Sequence, residues 1–161
     1  LLKAINLIKD INIQLLIIGD GEKKKNLINY LNKKKLSSIV KIISYKTNPY
    51  KYIKKSNIFI LTSKFEGLPN VLLEAQALKK YIISTDCPTG PKEILLNGKA
   101  GDLIKIGDYK TLSKKILDYS SRNNRFKNKS KKKINFGYQN LDRFDYNLNM
   151  KKYYNLLKKH Y

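Results

Sequence analysis

Residue types that commonly carry catalysis or cross-linking are nearly missing from this 161-residue chain. Cys87 is the single cysteine, so no internal disulfide can form, and without a His/Cys cluster no zinc-site spacing exists. A reducing cytoplasm fits that usage best. The one histidine, His160, stands next to the last residue and has no positioned partner of the kind a general base needs, so a solvated terminal side chain is expected. No run of about 18 apolar residues occurs, which excludes a spanning helix of the usual kind, and Leu1-Leu2-Lys3-Ala4 is no signal peptide. Tryptophan is absent, and acidic residues are few: 12 against 34 Lys and Arg, a formal charge of +22. Such an excess suits nucleic acid, anionic membrane or phosphorylated ligands. Lys, Asn, Ile and Tyr are abundant everywhere, however, a bias that A/T-rich codons produce regardless of function.

Hydrophobic residues make up 42% of the chain, enough for the core of one domain. Leu2, Ile5 and Ile8 recur at helical spacing, and 14–18 is a short apolar run closed by Gly19-Asp20-Gly21, which predicts helix, buried strand and tight loop. The unit then repeats. A lysine-rich helix over 22–36 leads to a strand over 39–43; a helical turn over 50–54, with Pro49 at its first position, leads to a strand over 58–61. Pro69 can open a helix reaching 78, followed by a strand over 81–84, a short helix opened by Gly90-Pro91, a weak strand near 103–106 and a helix over 108–119. Apolar strands separated by amphipathic helices predict an α/β fold with a doubly wound parallel sheet, because parallel strands need crossovers whose helices cover both faces. Residues 1–120 form this domain. Residues 121–161 lose the strand signal and predict a C-terminal helical extension, with a stripe through Leu148, Tyr153 or Tyr154, Leu156 and Leu157. The runs Lys23-Lys24-Lys25, Lys33-Lys34-Lys35 and Lys131-Lys132-Lys133 are expected on solvated surface.

Ligands of such sheets bind beyond the carboxyl ends of the strands, which directs attention to the loops after Ile18, Ile43, Leu61 and Ser84. In Gly19-Asp20-Gly21 the missing side chains let a phosphate or base approach the backbone, although a plain tight turn explains the glycines equally well. Lys24 stands where a dinucleotide fingerprint needs glycine, so NAD is disfavoured. The segment from Ser63 to Ala75 contains two carboxylates, Glu66 and Glu74. Inside one helix they would be about 80° apart and about 12 Å along the axis, a poor arrangement for a shared proton or metal. With the helix starting near Pro69, Glu66 sits in the loop above the N-terminus and Glu74 more than a turn inside, so the two reach different parts of one extended ligand. Between them the helix end carries about +0.5 charge and free amides, which suits a phosphate. Carboxylates beside a diphosphate must point at hydroxyls, hence at sugars and ribose. The plain alternatives are a favourable charge at a helix start for Glu66 and a solvated helix position for Glu74. The third loop, from Ser84 to Leu95, offers Thr89 or Gly90 as a cap, Pro91 at the first helical position and Glu93 against the dipole; it is either a second helix start facing the crevice or capping alone.

Together these residues carry a resemblance. Glu66-x7-Glu74 with Gly67-Leu68-Pro69-Asn70-Val71-Leu72 resembles the donor-binding motif of the retaining GT-B glycosyltransferases of family 4. Gly19-Asp20-Gly21 resembles the family's glycine loop, Asn48-Pro49 the loop before its next helix, Ser84 to Leu95 its segment after the fourth strand, and Gly98-Lys99-Ala100-Gly101-Asp102-Leu103 its last turn, in the correct order between Leu1 and Ile116. The resemblance implies the Rossmann-like C-terminal half of a GT-B enzyme, a nucleotide-sugar donor domain. By similarity Glu74 accepts hydrogen bonds from ribose hydroxyls, and Glu66 is the catalytic residue that holds the donor sugar's hydroxyls. The backbone of Gly67, Leu68, Pro69 and Asn70 meets sugar and phosphate, Gly19 and Gly21 let the donor approach, Ser44 and Tyr45 border the base, and Lys92 contacts phosphate. Transfer from a UDP-hexose or UDP-N-acetylhexosamine, with retention and without metal or other cofactor, is implied; no Asp-x-Asp is present. The acceptor would be a glycan or polyprenyl-linked molecule of bacterial surface polysaccharide or glycoprotein glycan assembly, met in the cytoplasm, with peripheral contact at the anionic inner face of the membrane.

Departures from the family are Lys79 for Gly, Tyr81 for Pro and Ser44 for Gly; a left-handed cap at Lys79 would cost about 1 kcal/mol relative to Gly. The family's N-terminal acceptor domain and the first strand of its donor domain have no counterpart here, so a fragment with weak or no transfer on its own is expected. The competing expectation is a basic nucleic-acid-binding α/β module without enzymatic activity, motivated by the charge of +22 and the tyrosine content. As a partner of the donor domain, nucleic acid is disfavoured.

Overall fold

The structure is a computed structural model that describes residues 1–121 and 123–160, the last two as backbone only. The His160 side chain, expected to be solvated, thus lies outside the described residues. Strands and helices alternate as α1 (Leu2–Leu7), β1 (Leu15–Ile18), α2 (Lys24–Lys33), β2 (Val40–Ile43), α3 (Tyr50–Lys55), β3 (Ile58–Leu61), α4 (Asn70–Ala77), β4 (Tyr81–Thr85), α5 (Pro91–Ile94), β5 (Asp102–Ile104) and α6 (Tyr109–Ser120). Two long helices follow, α7 (Asn124–Gln139) and α8 (Tyr146–His160), joined by a 3-10 turn over Leu141–Phe144. Pro49 and Pro69 cap their helices rather than entering them, whereas Pro91 takes the first helical position as expected. Among the described residues no helix is long and apolar enough to cross a membrane.

All strand pairs are parallel, as expected, and the strands fall into two sheets, β1-β2 and β3-β4-β5. Leu15 lies opposite Val40, Ile58 opposite Tyr81 and Ile83 opposite Asp102. Leu15 and Gly19 donate their amides across to Ile39 and Ile43, so by the alternation of a parallel ladder the main-chain groups of Leu16 and Ile18 point to the other side. No described strand pairs with that edge, nor with the second edge of β3.

The period of two along each strand sorts side chains onto two faces. On β3, Ile58 and Ile60 join one core with Tyr81 and Ile83 of β4, under Ala4 and Ile5 of α1, Leu31 of α2, and Leu112 and Ile116 of α6. Phe59, Leu61 and Ile82 join the opposite core with Ile53 of α3, Leu72 and Ala75 of α4, and Ile94 of α5. Helices on both faces make the winding double, and α3 is where the chain changes face. β4, buried at every position, is the axis of this arrangement.

The C-terminal lysine run corrects an expectation. Lys131 and Lys132 are exposed, but Lys133 is half-buried, and its ammonium bonds the Asp102 carboxylate and the carbonyls of Gly98 at 2.7 Å and Gly101 at 3.0 Å. Lys115 of α6 and the Tyr81 hydroxyl, each at 2.6 Å, take the other oxygen of Asp102. One carboxylate thereby joins β4, β5, α6 and α7. Tyr81, where the family resemblance expects proline, also stacks on Tyr119 with 4.9 Å between ring centroids and meets Phe126 of α7 edge-on. α7 comes close because Gly137 faces Gln76: a Cβ there would lie 2.9 Å from the Gln76 amide nitrogen, whose own hydrogen bond goes to the Ile94 carbonyl.

Lys35 and Lys79 close their helices at φ 55° and 53°, the left-handed region in which glycine is cheapest. Lys35→Gly is expected to stabilise the chain by about 1 kcal/mol. Lys79→Gly should gain less, since the Lys79 ammonium sits 4.2 Å from the Tyr138 ring centroid, a contact worth about 0.5 kcal/mol or more that the glycine gives up. Urea midpoints check the order; equal gains, or none for Lys35→Gly, contradict it.

Candidate functional site

The loops at the strand ends gather into two clusters. In the first, Asp20 is the centre: its carboxylate accepts from the Lys24 ammonium at 2.7 Å and from the Tyr45 amide at 2.8 Å, while Lys24 also donates to the Ser44 hydroxyl at 3.1 Å. The bond from Lys24, then that from the Tyr45 amide, holds the Asp20 carboxyl below its usual range. The loop after β1 is thus tied to the loop after β2, bringing Gly19, Gly21, Ser44 and Tyr45 together. A Cβ at Gly21 would meet nothing within 4 Å, so packing inside this chain does not require glycine there. The Tyr45 side chain is 69% exposed, a free aromatic face beside the paired loops.

The second cluster surrounds the start of α4. Pro69 precedes it with an extended ψ of 93°, and no side chain caps the helix, which leaves first-turn amides to solvent or ligand. Glu74 lies a turn further in. Its Oε2 is buried and has no hydrogen-bond partner, a costly state for a carboxylate oxygen and therefore one that needs explaining. Glu66 is half-buried in the loop above, between the exposed Phe65 and Gly67, and Leu68 beyond it is exposed as well.

The loop after β4 is built against this segment. The Thr85 hydroxyl donates to the Ser63 carbonyl at 2.6 Å, the Thr89 hydroxyl donates to the Glu66 carbonyl, and Gly90, at φ 82°, lies so close that a Cβ would overlap the Gly67 oxygen and Pro69 Cδ. Lys92 is exposed on α5 and lines an open hollow of about 380 Å³ with Pro88, Thr89, Gly90, Glu93 and Asn97. Burial pushes the Cys87 thiol up, away from the thiolate a nucleophile needs. Among the described residues no group of three or more His, Cys, Asp or Glu could hold a metal ion.

Glu66, Gly67, Leu68, Pro69, Asn70 and Glu74 therefore share one cluster, with Lys92 on its flank, and Gly19, Gly21, Ser44 and Tyr45 share the other. No described hydrogen bond joins the two clusters, and their strands β1 and β3 do not pair. Sequence patterns missed Asp20, Thr85 and the role of Thr89 and Gly90. Lys24 four residues after Asp20 is a legible helix-start pair, but the bond from the Tyr45 amide crosses 25 positions and leaves no local mark.

An uncharacterized glycosyltransferase of Methanocaldococcus jannaschii is 48% identical over 84 residues, covering 52% of this chain and 21% of that protein. The N-acetylgalactosamine-N,N'-diacetylbacillosaminyl-diphospho-undecaprenol 4-alpha-N-acetylgalactosaminyltransferase of Campylobacter jejuni is 29% identical over 123 residues, covering 74% of this chain and 34% of that protein. The chain thus spans about a fifth to a third of the length of these relatives. The crystal structure of the Anabaena protein HepE in complex with UDP superposes with a TM-score of 0.82 over 97% of this chain and 44% of that one, at 16% identity, a likeness of fold. That fold is the Rossmann-like α/β architecture of GT-B glycosyltransferases. The family described as Glycosyl transferases group 1 matches residues 1–137, from α1 nearly to the end of α7, and the chain belongs to it.

Proposed function

We propose that this chain is the donor-binding part of a retaining glycosyltransferase of family 4, using a UDP-hexose or UDP-N-acetylhexosamine. The observation that carries this is the buried, unpartnered Oε2 of Glu74 beside the uncapped start of α4. A ribose hydroxyl donating to Glu74 would satisfy that oxygen, and the α4 amides would take the diphosphate, whose charge the helix dipole favours. Glu66, one loop above, then faces the sugar. Acting there as an acceptor for its hydroxyls, it would fix the ring while the glycosidic bond to the diphosphate lengthens. The helix amides, with Lys92 on the flank, stabilise the charge that develops on the leaving group, so the reaction needs no metal. Tyr45 and Ser44, locked by Asp20 and Lys24, would border the base, and the open backbone at Gly19 and Gly21 leaves room for the nucleotide.

The alpha linkage in the name of the Campylobacter relative agrees with retention, because the hexose of common UDP-sugars is itself α-linked. Its undecaprenol-linked acceptor favours a lipid-linked glycan here too, reached from the cytoplasm at an anionic inner membrane face to which the lysine-rich surface would be drawn. The open edges of β1 and β3 are where a further parallel strand would convert two sheets into one, and we place the first strand of the donor domain there, with an acceptor domain beyond it.

Calorimetric or NMR titration with UDP, UDP-glucose and UDP-N-acetylglucosamine tests the assignment. Saturable binding is expected, tightening when a strand is supplied between β1 and β3. Absence of binding even with that strand in place defeats it.

A further inference from the structure

Glu66 stands in residues 62–69, a stretch between β3 and α4 without helix or strand. Among the described residues no hydrogen bond holds its carboxylate, so the placement of its backbone carries much of the task of directing it. Three attachments fix that backbone, and all come from the end of β4 and the loop after it. Thr85 pins the Ser63 carbonyl, Thr89 pins the Glu66 carbonyl itself, and Gly90 seats Gly67 and the buried Pro69 at a distance no other residue type allows. Thr85 is buried at the end of the innermost strand, which makes the support rigid. Glu74 needs none of this, because α4 holds it.

We infer that Thr85, Thr89 and Gly90 are positioning residues for Glu66, a brace that makes the loops after β3 and β4 one unit and sets the sugar end of the site separately from the nucleoside end. The inference rests on the donor site proposed above. Its distinguishing consequence is a split between ligands that reach Glu66 and ligands that stop at Glu74. Removing the Thr89 hydroxyl loosens the Glu66 backbone and weakens the grip on a donor sugar, while the α4 side chain that faces ribose stays in place.

Thr89→Val, nearly equal in volume, tests this with Thr89→Ser as the conservative rescue. In the full chain, hydrogen exchange of the amides over 64–70 is expected to accelerate about tenfold in Thr89→Val, the loss of one hydrogen bond, with the amides of β4 and α6 unchanged. UDP-glucose and UDP-N-acetylglucosamine should bind about tenfold more weakly and UMP as before, with Thr89→Ser restoring both readouts. Unchanged exchange in Thr89→Val overturns the brace, and so does an equal loss for UMP and the UDP-sugars, which marks a merely structural effect. Should the chain bind none of these nucleotides even with the added strand in place, the donor assignment fails, whereas exchange still decides whether the brace holds the loop.

Discussion

Asp102→Asn is expected to lower the melting temperature by roughly 10 °C. The carboxylate is only 7% exposed and holds two ammonium groups, those of Lys115 and Lys133, along with the Tyr81 hydroxyl. An amide of the same shape keeps one acceptor oxygen but no charge, so two partly buried ammoniums lose their counterion. Removing one partner of a buried ion pair costs about 3–5 kcal/mol, against a total stability of about 5–15 kcal/mol. The same network predicts the acid response. Burial alone would raise the Asp102 pKa, but the bonds from Lys115, Lys133 and Tyr81 outweigh it and hold the group down to about 2. A carboxyl lowered in the folded state adds stability that is full above its unfolded value and lost as pH falls through the folded one. The window is therefore from about pH 4 down to about 2, with a swing of about 2 kcal/mol that Asp102→Asn should not show. Urea unfolding of both proteins at pH 6, 4 and 2.5 measures it; a variant that melts within about 2 °C of the parent, or keeps the acid swing, removes Asp102 from this role.

The parts of the fold that were legible in the sequence are those written locally. Continuous apolar runs such as Ile58-Phe59-Ile60-Leu61 and the helices between them predicted the succession of strands along the chain and their parallel direction, since a strand buried on both faces has few other ways to read. The division into two sheets was not legible, because pairing depends on which edges meet and an edge strand has no composition of its own here. α7 escaped separate notice for a different reason: its inward face alternates the apolar Phe126 and Ile134 with the small Ser130 and Gly137, so its apolar stripe is sparse. Lys133 was hidden by its neighbours, two solvated lysines of identical type. In the candidate site, the placement of Glu66 in the loop before α4 and of Glu74 inside it was legible because Pro69 marks the helix start between them. The brace could not, because Thr89 and Gly90 look like ordinary helix-start residues and their contacts reach back some twenty positions.

Glu74→Gln is expected to weaken UDP binding by about 10- to 100-fold, the worth of charge-assisted hydrogen bonds from two ribose hydroxyls, while leaving stability about equal. The two effects separate because of one atom. In the unliganded chain Glu74 Oε2 accepts nothing, so an amide of the same shape in its place breaks no hydrogen bond at that atom. A residue held for folding would show the reverse, with melting temperature and affinity falling together. Glu66→Gln provides the contrast. It should leave UMP affinity unchanged and chiefly reduce sugar transfer in the assembled enzyme, by about 100-fold if the carboxylate acts on charge that develops in the transition state. Binding isotherms and melts for Glu74→Gln, and turnover for Glu66→Gln, supply the three readings. Unchanged UDP affinity removes Glu74 from the donor site, unchanged turnover removes Glu66, and a Glu74→Gln variant that is both weaker-binding and less stable returns the buried oxygen to a structural role.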